Sequence, residues 1–293
     1  MSVVRVGTAF APDGAVLSWR ADGSGATALL AYNGIGVSTF FWRGLAQHFA
    51  ASGKHTFITW DYRGHGRSPV PEHPENMTVS RCAADLWAVL GSARFERAVL
   101  LGHSMGSQVI LEAYRQRSDQ VRALVPVLGT AGKVFSSFLG GSRLEPLYRL
   151  LIAAGAANAP LAEQALRAVL RVPGVWEAVK ALGIVHPDLC PREAFEPYFE
   201  HLSQLDLRDY FALARDLLTH DASDLLDQIH LPVLVVAGER DLFTPLARSR
   251  EMAARIPGAQ LLVLREGSHA AMVEQPELLA LSLEKFLAPH QLA

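Results

Sequence analysis

The sequence predicts an α/β fold, with a mostly parallel central sheet flanked by helices and interrupted by a helical insertion. Three observations predict it. Short continuous apolar runs alternate with segments of helical period, as expected of strands buried on both faces and joined by crossover helices. The alternation stops near residue 131 and resumes near residue 232. The stretch between is rich in Ala, Leu, Arg and Glu, with apolar residues at helical spacing.

Taken in order, Val3 to Thr8 and Ala15 to Trp19 flank the turn-forming Pro12-Asp13-Gly14 and predict a hairpin. The first buried strand is Ala28 to Tyr32, followed by a helix near 40–52 and a strand from His55 to Trp60. A helix near 79–91, a strand Ala98 to Leu101, a helix near 105–117 and a strand Ala123 to Leu128 continue the rhythm. Residues 133–225 predict several short helices, represented by Leu147, Leu150 and Leu151 and by Leu166, Val169 and Leu170. The pattern returns with Pro232 to Ala237, a helix near 246–255, a strand Gln260 to Leu264 and a closing helix near 276–287. The implied division is a core of residues 1–132 and 226–293 carrying a helical cap of residues 133–225. A segment inserted after a parallel strand lies over the C-terminal strand ends, where open α/β sheets bind ligands.

Composition narrows the function classes. The 293 residues are 50% hydrophobic and 19% charged, enough apolar surface for a large core and too little charge for a disordered chain. The net charge of −2 leaves no basic footprint for nucleic acid. Cys82 and Cys190 cannot make a disulfide framework and fit a reducing compartment. The first residues lack the basic start and apolar run of a signal peptide, and Leu150 to Leu161 is too short to span a bilayer. The expectation is a soluble, cytoplasmic protein.

The strand ending at Leu101 runs into Gly102-His103-Ser104-Met105-Gly106 and then a helix. This is G-x-S-x-G in the strand–turn–helix setting that gives the motif meaning. Ser104 must project from a strained turn while helix and strand pass closely, so side chains at 102 and 106 would collide. A serine hydroxyl is a weak nucleophile and needs a base, and the base needs an orienting group. Asp241 follows the strand 232–237, and His269 follows the strand 260–264, so all three fall on loops at one sheet edge. Glu239, Asp61 and Asp85 compete for the acid role, and Gly129-Thr130 leaves no acid after the preceding core strand. His103, beside the serine, reads as a buried structural residue. An oxyanion formed at Ser104 needs two backbone N–H donors, and the Met105 amide, at a helix start, is one.

On these residues the chain resembles the α/β-hydrolase fold family, and within it the cap-bearing serine hydrolases of the carboxylesterase, haloperoxidase-like and carbon–carbon hydrolase branches. The order Ser104, Asp241, His269 matches, as do the stretches Asp61 to Ser68 and Glu274-Gln275-Pro276. The resemblance implies a catalytic triad of Ser104, Asp241 and His269, a structural role for Asp61, His65 and Ser68, and the Ile35 amide as second oxyanion donor. Many relatives carry His-Gly where this chain has Asn33-Gly34. A dinucleotide site at Gly34-Ile35-Gly36 is the rival reading, but Thr39 stands where the third glycine belongs.

The expected activity is hydrolysis of carboxylic esters of small to medium hydrophobic substrates through an acyl-enzyme. The alternatives are carbon–carbon bond hydrolysis, lactone hydrolysis, perhydrolysis or acyl transfer on the same triad, or a ligand-binding receptor with a slow or vestigial triad. Phe40, Trp42, Phe135, Phe138, Leu139 and Phe243 are the candidate substrate contacts. No metal or organic cofactor is expected, the partners are substrate and water, and no homo-oligomer is indicated.

Overall fold

The computed structural model describes residues 3–74 and 77–292, excluding the side chain of Leu139. Strands β1 (Val4–Phe10) and β2 (Val16–Gly23) form the antiparallel hairpin, paired from Val4–Asp22 to Phe10–Val16. Strands β3 (Thr27–Tyr32), β4 (His55–Asp61), β5 (Ala98–His103), β6 (Val121–Val127), β7 (Leu234–Gly238) and β8 (Gln260–Leu264) follow. One eight-stranded sheet results, in the order β1-β2-β4-β3-β5-β6-β7-β8. It is parallel from β4 through β8, and β2 joins β4 antiparallel.

Every residue of β3, β4 and β5 is buried, which fits the apolar runs Ala28–Tyr32 and Ala98–Leu101, while β4 also buries the polar His55, Thr56, Thr59 and Asp61. The edge strand β1 alternates exposure instead. Successive residues of β3 face opposite cores. Leu29 and Ala31 point to the layer containing α1 (Arg43–Ala51) and α11 (Pro276–Leu287), with Leu45, Phe49 and Leu283. Ala28, Leu30 and Tyr32 face α2 (Val79–Ser92), α3 (Met105–Gln116) and α9 (Leu246–Arg255), with Leu86, Val109 and Met252.

Between β6 and β7 the described residues form helical elements and no strand. Two 3-10 turns, Val134–Ser136 and Phe138–Leu144, lead into α4 (Glu145–Ala157), α5 (Ala159–Leu170), α6 (Val175–Ala181), α7 (Arg192–Gln204) and α8 (Leu207–Leu217). The helix starts are written in the sequence as polar caps: Asn158 accepts from the Leu161 amide and Asp206 from the Arg208 amide. A Cβ at Gly155 would lie 2.1 Å from the Phe211 ring, so glycine lets α4 sit close on α8. Asp216 at the end of α8 accepts from the Val79 amide, tying this segment to the start of α2. The short helix α10 (Ala271–Glu274) precedes α11.

Candidate active site

Ser104 occupies the junction of β5 and α3 with φ 54° and ψ −119°, a conformation an L-residue adopts only when its surroundings impose it. The glycines allow that turn. A Cβ at Gly102 would stand 2.2 Å from the Gly106 carbonyl oxygen, and one at Gly106 would stand 2.7 Å from that of Tyr32. The Ser104 amide donates to Val127 O at 2.9 Å, which anchors the turn to the end of β6.

His269 and Asp241 converge on this serine. His269 Nε2 lies 2.9 Å from Ser104 Oγ, and Nδ1 lies 2.8 Å from Asp241 Oδ2. Asp241 is buried, and its Oδ1 accepts from the amides of Phe243 and Thr244 at 2.8 and 2.9 Å. Its Oδ2 accepts from the Thr244 hydroxyl at 2.8 Å. Burial alone would raise this carboxyl, but the facing His269 and the donors of Thr244 hold it below the ordinary carboxylate value. An ionised Asp241 only accepts, so Nδ1 carries the proton and Nε2 is left to accept from the Ser104 hydroxyl.

The neighbouring polar residues have other engagements. His103 is fully buried, Nε2 lies 3.1 Å from His269 O, and burial with the facing His269 pushes its pKa down to about 3. It is therefore a neutral ring whose Nε2–H donates to the backbone of His269. Asp61 accepts from Ser38 Oγ at 2.5 Å and from the Arg67 amide, and its carbonyl accepts from Ser68 Oγ. Asp85 is bound by Arg63, while Glu239 accepts from the Glu266 amide. None of the three rival acids thus reaches His269.

The loop after β3 passes directly beside the elbow, since a Cβ at Gly34 would lie 3.0 Å from Ser104 Cβ. Tyr62 fixes its shape by accepting from the Gly36 amide and donating to Gly34 O, both at 2.9 Å. Asn33, the departure from His-Gly, donates to Trp60 O and ties the loop to β4. Among the described residues, the amides of Ile35 and Met105 donate to no protein acceptor. Both residues line the same cavity as Ser104.

That cavity measures about 160 Å³. Ile35, Met105 and Phe41 wall it from the core, and Phe135, Phe138, Tyr198 and Tyr210 close it from the helical segment. No Arg, Lys, Asp or Glu is among its lining residues. Of the sequence-predicted contacts, Phe135, Phe138 and Phe243 line it. Phe40 and Trp42 do not, which corrects the expectation. Trp42 is completely buried in the core beside Phe57, and Phe40 lies half-buried against Tyr198 and His201. The cause is a 3-10 turn over Thr39–Trp42, where a continuous helix from residue 40 was expected. At three residues per turn, Phe40, Phe41 and Trp42 point three ways, and Phe41 is the one that meets the cavity. The Leu139 side chain lies outside the described residues. Sequence reasoning did not assign Val37, Ile184, Tyr210, Ala214 or Leu217 to the site, and their types carried no signal beyond helical or loop position. A cluster of three or more His, Cys, Asp or Glu side chains fit to hold a metal is not found among the described residues.

Comparison with known proteins gives the same architecture. The family model described as alpha/beta hydrolase fold matches residues 27–276. A protein of Escherichia coli O7:K1 named "Putative carbamate hydrolase RutD" is 30% identical over 246 residues, covering 84% of this chain and 85% of that protein. The solved structure of a hydrolase from Pseudomonas aeruginosa PA01 superposes with a TM-score of 0.74 at 26% identity, covering 97% of this chain and 98% of that one. An esterase from Exiguobacterium antarcticum does so with a TM-score of 0.76 at 20% identity over 96% of this chain and 98% of that one, a likeness of fold. With its elbow serine, its sheet order and this match over most of its length, the chain belongs to the alpha/beta hydrolase fold family.

Proposed function

We propose that this hydrolase of the alpha/beta hydrolase fold cleaves carboxylic esters of small to medium, uncharged, hydrophobic substrates through an acyl-enzyme on Ser104. The observation that carries the reading is the continuous chain of contacts from Asp241 through His269 to Ser104, at 2.8 and 2.9 Å. His269 Nε2 takes the Ser104 proton as Oγ attacks the ester carbonyl carbon, and Asp241 stabilises the imidazolium. The amides of Ile35 and Met105 receive the oxyanion, with the N-terminus of α3 adding a favourable field. His269 returns the proton to the departing alkoxide. Water, deprotonated by His269, then attacks the acyl carbon, and Ser104 leaves with the proton as the acid is released.

The lining supports an uncharged substrate, since a buried charge without a partner is costly and the cavity offers no counter-ion. Residues 133–225 serve in this reading as a cap that closes over the ester. A second reading is hydrolysis of a carbamate, favoured by the relative of that name. The triad chemistry is the same, with carbamoyl in place of acyl.

Labelling with a fluorophosphonate probe, followed by peptide mass spectrometry, tests the nucleophile, with p-nitrophenyl esters of rising chain length and a p-nitrophenyl carbamate as paired substrates. The reading expects label on Ser104 and faster turnover of esters than of the carbamate. Preference for the carbamate selects the second reading. Parent-rate turnover by Ser104→Ala sinks both.

A further inference from the structure

Helices α4 and α5 turn an almost wholly apolar face to solvent. The inner face of α4 packs Ile152 with Ala214 and Leu218 of the α8 region, and α5 packs Ala159, Ala162 and Leu166 with Leu205 and Leu207. The outward faces carry Leu147, Leu150 and Leu151 on α4, Leu161 and Val169 on α5, and Val172 just beyond. Leu150 is 65% exposed, where a leucine paired with a core would be covered. Most exposed positions between them on the two helices are alanine. Single exposed apolar residues are ordinary, but two adjoining helices presenting them at helical spacing form a patch that calls for a partner.

The charges around the patch say which partner. From residue 143 to residue 172 the exposed charged residues are Arg143, Arg149 and Arg171, all basic. Glu145 and Glu163 are half-buried and paired with Arg149 and Arg167. This basic, apolar face belongs to a chain of net charge −2. Two copies meeting about a two-fold axis would set the patch on itself, arginine toward arginine, with no exposed acid inside it to answer. A surface of anionic lipid headgroups answers both features. Leucines enter the headgroup boundary while arginine stems lie along it with their guanidinium groups at the phosphates. No helix among the described residues is long and apolar enough to cross a membrane, so the face would lie on the bilayer.

We propose that the outer face of α4 and α5 docks on an anionic lipid surface. Docked so, the protein would hold α8, which supplies Tyr210, Ala214 and Leu217 to the cavity, just beneath the lipid-facing helices. Co-sedimentation of the whole chain tests this, with vesicles of equimolar phosphatidylcholine and phosphatidylglycerol set against pure phosphatidylcholine. Binding to the anionic vesicles that weakens with salt and with pure phosphatidylcholine is expected. Leu150→Glu with Val169→Glu should cut the bound fraction about tenfold or more while leaving the melting temperature near the parent's. Arg143→Glu with Arg171→Glu, both on the exposed surface, should abolish the preference for anionic vesicles without touching packing. No binding to anionic vesicles overturns the proposal. Equal binding by either double variant overturns it too, as does a dimer in light scattering that the Leu150 and Val169 changes split.

Discussion

Glu274 holds the residue next to His269 twice over: the amide and the hydroxyl of Ser268 donate to its two carboxylate oxygens at 2.9 and 2.5 Å. The same carboxylate accepts from the His186 amide at 2.7 Å, so one buried side chain joins the histidine loop to the segment between α6 and α7. The Ser268 hydroxyl in turn accepts from the Ala270 amide at 3.0 Å, and the loop is pinned on both sides of the imidazole. Glu274→Gln replaces one acceptor by a donor facing the Ser268 N–H. The imidazole then loses its fixed position, and kcat should fall about ten- to a hundredfold with KM little changed. Steady-state kinetics on a short p-nitrophenyl ester checks this, and an unchanged kcat would show that the loop holds without the carboxylate.

Asp241→Asn should be more damaging. The Phe243 and Thr244 amides occupy Oδ1, and Oδ2 receives the Thr244 hydroxyl and the His269 Nδ1–H. An amide nitrogen placed at Oδ2 would present a donor to Nδ1 and favour the tautomer in which Nε2 carries the proton. Ser104 would then face a donor, and turnover should drop by about 10⁴-fold on the pattern of triad enzymes. Labelling by a fluorophosphonate should slow in parallel, because it uses the same base. Labelling at the parent rate would separate Asp241 from the activation of Ser104.

How far these features were legible follows from the kind of signal each leaves. Gly102, Ser104 and Gly106 are read from one pentapeptide because close backbone approach admits only glycine. Asp241 and His269 are read because strands β7 and β8 end a few residues before them. The strand order was less accessible, since β4 sits between β2 and β3 through pairing that no local pattern records. Phe41 was missed for a local reason, a 3-10 turn ahead of α1 that rotates the sequence relative to a helix begun at residue 40. Tyr198 and Tyr210 reach the cavity only because α7 and α8 cross above it. Their helical spacing suits a core position equally well, so the sequence could not separate cavity wall from packing.

The apolar end of the cavity gives a prediction about size. Phe138 packs against Phe243 with ring centroids 5.0 Å apart, and Phe243 lies 4.9 Å from the His269 ring. Phe138→Ala removes a wall that is not anchored by a hydrogen bond and opens space next to the reacting centre. Longer acyl chains should gain, with kcat/KM for octanoate relative to acetate rising about tenfold, a little less than the burial of two methylenes would give. A chain-length series on the variant checks it. An unaltered profile would place the acyl group elsewhere in the cavity.

Asp209 gives the pH dependence. It lies in the first turn of α8, completely buried, and neither carboxylate oxygen has a hydrogen-bond partner among the described residues. Its carboxylate presses on Gly64, at φ +70°, where any added Cβ would collide with it. Burial first, with the nearby Asp206, raises its pKa to about 7 from 3.8, against the opposing pull of Arg208 and Arg63. The folded chain therefore keeps this proton where the unfolded chain has lost it. Stability contributed by the neutral acid is complete below the ordinary carboxylate value and is lost as the pH climbs to about 7. Asp209→Asn keeps the shape and removes the ionisation. Its melting temperature should exceed the parent's at both about pH 5 and about pH 8, and by more at the higher value. Thermal unfolding of both proteins at the two pH values decides the matter. A difference that is the same at both would mean that Asp209 is already charged in the folded chain at the lower pH.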